Sequence, residues 1–150
     1  MDLDKLSRGD RLVAGSALLL FVGSFLPWFG AAGGFAGFDR AGWDFFLWGA
    51  IPTLLAMAAG LLVTTQALGD VRFPELPVSW GQACFAAGSV AASLVVLKLL
   101  IGDRDCSAGC RQLDRRYGLA VAAIGAVGLA YGGYRKWREE DQRPHRERLA

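Results

Sequence analysis

Residues 79–101 read SWGQACFAAGSVAASLVVLKLLI, and this run decides the class of the chain. Lys98 is its single charge and stands three residues from the end. A bilayer core about 30 Å thick is crossed by roughly 17–25 apolar residues at 1.5 Å rise each, and the run has that length. A soluble amphipathic helix carries charges at every turn of one face; this run does not.

Working outward, residues 12–29, 45–68 and 117–134 repeat the pattern. A hydrophobic fraction of 53% would suit a soluble globule, so segregation decides: the charges collect in the tails and loops. The expected fold is an all-α membrane protein, a single domain over residues 1–150. It is a four-transmembrane-helix antiparallel (up-down-up-down) bundle with tails at 1–11 and 135–150. No sheet of consequence is expected, because backbone in a bilayer must satisfy its own hydrogen bonds.

The formal charge of +2 hides an uneven layout. Lys5, Arg8 and Arg11 precede the first run, Arg72 lies in the second loop, and Arg135, Lys136, Arg138, Arg143, Arg146 and Arg148 follow the last. The first and third loops hold fewer, namely Arg40, Arg104, Arg111, Arg115 and Arg116, with Asp103, Asp105 and Asp114 among them. By the positive-inside rule both termini are cytoplasmic, in a bacterial cytoplasmic (inner) membrane crossed several times. The first run resembles a secretory signal in outline, but its 18 or so residues exceed the usual apolar region of about 7–15. It also ends in the bulky Leu26-Pro27-Trp28-Phe29, and is read as an uncleaved span.

Trp28, Trp43, Trp48, Trp80 and Trp137 stand at the ends of the runs and are read as interfacial anchors. Lys98 is read as snorkelling to the nearer interface, and the 135–138 cluster as the stop-transfer flank, its charges attracted to anionic lipid. The tail beyond reads as a solvated helix or a disordered segment. In lipid, helices approach most closely where side chains are short. Gly81, Gly88 and Ala92 on the third run, and Gly128 and Gly132 on the fourth, are therefore the expected packing positions, within the chain before any dimer face.

Cys106 and Cys110, on a loop placed outside, are read as a structural disulfide. The alternative is a quinone-linked thiol oxidoreductase, which wants Cys-x-x-Cys and a second pair. The spacing here is one residue too long, and Cys84 lies on the order of 25 Å away along its helix. No metal site is expected, since His145 is the only imidazole and lies in the opposite tail. Nor is any cofactor, nucleic acid or soluble substrate, and no catalytic constellation is present in the pattern.

The stretch Leu6-Ser7-Arg8-Gly9-Asp10-Arg11, the helix end Phe25-Leu26-Pro27-Trp28-Phe29 and the opening Gly42-Trp43-Asp44-Phe45 resemble a group of uncharacterised actinobacterial small four-transmembrane-helix integral membrane proteins. The likeness is best over the first half. It implies fold and location and carries no activity. The leading functional expectation is a non-enzymatic membrane protein that acts by helix packing, with the lipid bilayer, itself as a homo-oligomer, or a larger envelope complex as partners. A transport or lipid-handling bundle is the second reading, with a polar mid-membrane cavity lined by Ser89, Ser93 and Thr64 as its sign.

Overall fold

A computed structural model of the chain describes residues 7–30, 39–68, 79–105 and 111–147. It is mostly helical, with four helices. The first, α1 (Arg8–Phe25), starts at a reciprocal cap. The Ser7 hydroxyl accepts from the Asp10 amide and the Asp10 carboxylate accepts from the Ser7 amide, each at 3.2 Å. It stops because Pro27 drives the residue before it out of the helical region. Leu26 is accordingly extended, at φ −76° and ψ 154°.

The expected first span at 12–29 is therefore cut short. Its last three residues form a strand together with Gly30, β1 (Pro27–Gly30), which pairs antiparallel with β2 (Arg40–Ala41) and with β5 (Asp114–Arg115). The expectation of no sheet is corrected here: β2-β1-β5 is a three-stranded sheet, beside a two-stranded β3 (Arg104–Asp105) and β4 (Arg111–Gln112). Pro27 lies at the first position of its strand, where a missing N–H is tolerated, and Trp28 and Phe29 are good strand formers.

The chain enters α2 (Ile51–Leu68) through a 3-10 turn at Gly42–Asp44 and a π-turn at Phe46–Ala50. Pro52 falls in the first turn of α2, where proline is accepted. A Ser79/Gln82 capping box opens α3 (Trp80–Ile101). The last helix, α4 (Tyr117–Glu147), runs through the expected boundary at 134, so the described part of the tail is helix. Its mixture of Arg, Lys and Glu is helix-favouring.

Among the described residues three segments are long and apolar enough to cross a membrane: Phe46–Gln66, Trp80–Ile101 and Tyr117–Gln142. After its charged first turn α1 keeps residues 12–25, about 21 Å at 1.5 Å per residue.

Neighbouring helices run antiparallel. Gly9 lies against Lys136 and Gly23 against Ala122, which sets α1 against α4; Gly81 lies against Trp137 and Gly88 against Ala130, which sets α3 against α4. In the third pair, α2 packs on α1 with Gly60 against Ala17. The buried positions of α3, Gly81, Cys84, Gly88, Ala91, Val95 and Lys98, alternate in steps of three and four, the spacing of one helix face. On α4, Ala122, Ala126, Leu129, Gly133 and Lys136 do the same. Each stripe ends on a lysine at an opposite end of the molecule.

Candidate functional site

At the sheet end, Lys98 is 6% exposed. Its ammonium donates to Asp103 Oδ1 at 3.1 Å and lies 4.3 Å from the centre of the Phe45 ring and 5.2 Å from that of Phe29. Removing a cation from water is costly unless it is paired. A carboxylate and two aromatic faces supply the compensation. The snorkelling reading of Lys98 is therefore corrected: it lies on the buried stripe, and the sheet brings Phe29 over it.

Gly102 makes this geometry available. Its φ of +73° with ψ of −163° is a region essentially restricted to glycine, and its amide closes α3 on the Lys98 carbonyl at 3.0 Å. The chain then doubles back so that Asp103, five residues on, meets Lys98. Asp103 Oδ2 also accepts from Arg40 at 3.4 Å, and its carbonyl accepts from the Leu113 amide at 3.1 Å. The Asp103 carboxylate thus joins α3 to the strand before α2, and its backbone carbonyl joins the same turn to the segment before α4. The Arg116 amide donates to the Trp28 carbonyl at 2.8 Å, and the Arg116 guanidinium lies 3.9 Å from Asp39.

At the opposite end, Lys136 is 8% exposed. Its ammonium donates to Asp10 Oδ1 at 2.8 Å and to Gln66 Oε1 at 3.2 Å, joining α4 to the start of α1 and the end of α2. Gly9 lets the backbones approach: a Cβ there would lie 3.1 Å from the Lys136 backbone. Of the expected stop-transfer flank, Lys136 is therefore turned between the helices and not to lipid headgroups. Nearby, Glu140 accepts from the Gly81 amide at 2.9 Å, holding the first turn of α3.

Among the five tryptophans, Trp28 is corrected as an anchor. It is 0% exposed, its indole donates to the Gly23 carbonyl at 2.9 Å, and it stacks with Phe45 at 6.4 Å. Trp43 is exposed beside Phe25, at 5.8 Å between ring centres. Trp48 and Trp80 are half-buried. Trp137, also half-buried, sits against Phe85 and Tyr134 at 6.1 and 6.4 Å.

The small residues lie between helices of this chain. Gly81 and Gly88 meet the α4 backbone, whereas Gly128 meets Ser16 and Gly132 meets Val13 on α1. Ala92 stands one position off the stripe and is half-buried, while Ala91 is 0% exposed. Two of the three hydroxyls of the transport reading return to their own helices. Thr64 donates to the Gly60 carbonyl at 2.7 Å and Ser93 to the Ser89 carbonyl at 2.8 Å. Cys106 and Cys110 lie outside the described residues; Cys84 is buried on α3 as a free thiol. Among the described residues no three His, Cys, Asp or Glu side chains come together as metal ligands.

A signal that places Lys98 on the packing face does exist in the sequence. Steps of seven from Gly81 through Gly88 reach Val95, and three more reach Lys98, on the same face. The Asp103 and Asp10 partners have no such signal, because the turn at Gly102 and the contact of α1 with α4 bring them in. The chain matches no protein-family model, no curated protein and no solved structure at a significant level.

Proposed function

We propose that this chain is a small integral membrane protein with four transmembrane helices, up-down-up-down, both termini on the cytoplasmic side of a bacterial cytoplasmic membrane. It acts without chemistry of its own, by packing against a second copy or a larger envelope complex. The observation that carries this reading is that the two buried ammonium groups are each held by carboxylates of the same chain. Lys98 is taken by Asp103 and Lys136 by Asp10, so neither is presented to a substrate.

All four helices favour a lipid setting through their outward residues. Leu18 and Phe25 on α1, Leu61 on α2, Leu100 on α3 and Ile124 on α4 are each more than half exposed. For α1 the crossing is completed by β1, whose non-helical backbone is buried within the protein, the condition under which such backbone is tolerated at membrane depth. The likeness to actinobacterial four-helix membrane proteins accords with this reading.

Labelling of single added cysteines with an impermeant reagent in intact cells tests the topology. A cysteine in the C-terminal tail that reacts from outside reverses the orientation. Co-purification from native membranes in mild detergent tests the packing role. A homogeneous monomer with no associated chain refutes it.

A further inference from the structure

On the outward side of α4, Ile124, Val127, Tyr131, Tyr134, Arg138 and Asp141 follow one another in steps of three and four, the spacing of neighbours along one face of a helix. All six are exposed. Taken toward the end of the helix, this face passes from aliphatic to aromatic to cationic to anionic. A phospholipid with an amine headgroup has the complementary order: acyl chain, glycerol ester, phosphate, ammonium. We propose that this face of α4 binds one zwitterionic phospholipid with a primary amine, its phosphate at Arg138 and its ammonium at Asp141.

The cation is held in place before any ligand arrives. The Arg138 guanidinium carbon lies 5.5 Å from the centre of the Tyr134 ring, and that ring is fixed in turn against Phe85 at 6.0 Å and Trp137 at 6.4 Å. Side chains on a helix lean toward its N-terminus, here toward the apolar residues. Arg138 thus reaches back over Tyr134, while the shorter Asp141 stays one turn further out. Residues three apart on a helix can pair, yet neither Arg138 nor Asp141 makes an ion pair among the described residues. The guanidinium rests on a ring, and the carboxylate is left for a cation from outside. Other charges nearby are engaged or face elsewhere: Lys136 is held by Asp10, Glu140 by the Gly81 amide, and Glu139 is turned about 100° around the helix from Arg138. Asp141 selects the headgroup. A primary ammonium offers it three N–H donors, a quaternary ammonium none, and a glycerol headgroup brings no cation at all.

The inference rests on the membrane reading of the chain. Its test uses the full chain in detergent, with native mass spectrometry counting lipids retained after addition of phosphatidylethanolamine, phosphatidylcholine or phosphatidylglycerol of the same acyl chains. Phosphatidylethanolamine is expected to be held most tightly. Arg138→Gln weakens all three about fivefold, the equivalent of roughly 1 kcal/mol for one near-surface charge, because the phosphate is common to them. Asp141→Asn weakens phosphatidylethanolamine alone, and Asp141→Lys turns the preference to phosphatidylglycerol. Both positions are exposed, so an unchanged unfolding transition in these variants separates lost binding from lost fold. Equal retention of the three lipids by the parent overturns the proposal, as does a preference that survives Asp141→Lys. Displacement of the lipid by an equal concentration of soluble phosphoethanolamine assigns the site to a free phosphate ester, and conversion of a dimer to a monomer by Arg138→Gln assigns the face to a second copy; either overturns it. A chain that stays soluble without detergent refutes the membrane reading itself, whereas a detergent-dependent chain with no lipid preference refutes only this site.

Discussion

Gly88→Ala and Gly15→Ala make the same chemical change on two helices and are expected to move stability in opposite directions. A Cβ on Gly88 would lie 2.6 Å from the Ala130 amide nitrogen and 2.7 Å from its Cα, where ordinary contact begins at 3.4 Å. The obstacle is backbone, which cannot swing aside as a side chain does. To restore contact α3 and α4 must part by about 0.8 Å, loosening the neighbouring approaches at Gly81 and Gly133. Overpacking of this kind costs about 1–3 kcal/mol. Gly15 has nothing within 4 Å of such a Cβ, so alanine there brings only the helix-propensity gain of up to about 1 kcal/mol. That gain is common to both variants, and their difference, about 1–3 kcal/mol in favour of Gly15→Ala, isolates the packing. Unfolding in mixed micelles of rising SDS fraction, followed by tryptophan fluorescence, measures it. Equal stability of the two variants would show that α3 and α4 do not meet backbone to backbone.

At the sheet end, Asp103→Ala leaves Lys98 with only aromatic faces and is expected to cost about 3 kcal/mol. Lys98→Met leaves Asp103 its bond to Arg40 and costs less; the same unfolding assay, giving the reverse order, would refute the pairing. Asp10→Asn, Lys136→Met and their double variant form a cycle expected to return a coupling of about 0.5–3 kcal/mol; a value near zero would mean the pair contributes no net interaction. Trp28→Phe removes the bond from the indole to the Gly23 carbonyl and should cost about 0.5–1.5 kcal/mol, read from the same transition, with no loss expected for Trp43→Phe because that ring is exposed.

The membrane class, the four helices and the small-residue seam of α3 were legible in the sequence by themselves, because hydrophobic length and the spacing of glycines are local properties that a bilayer reads directly. Pro27 was legible as a residue that ends helices, but its consequence was not. Whether Trp28 and Phe29 face lipid or turn inward depends on Arg40, Asp114 and Arg115 pairing beside them, and the last two lie far along the chain. Lys98 was a charge near a helix end, and a snorkelling lysine and a buried one share that position. The tertiary structure decided between them by bringing Asp103 back through Gly102 and setting Phe29 and Phe45 over the ammonium. Lys136 was decided in the same way, by Asp10 on a helix more than a hundred residues earlier. A charge is buried or solvated according to its compensating partners, and which partners arrive is a property of the folded chain.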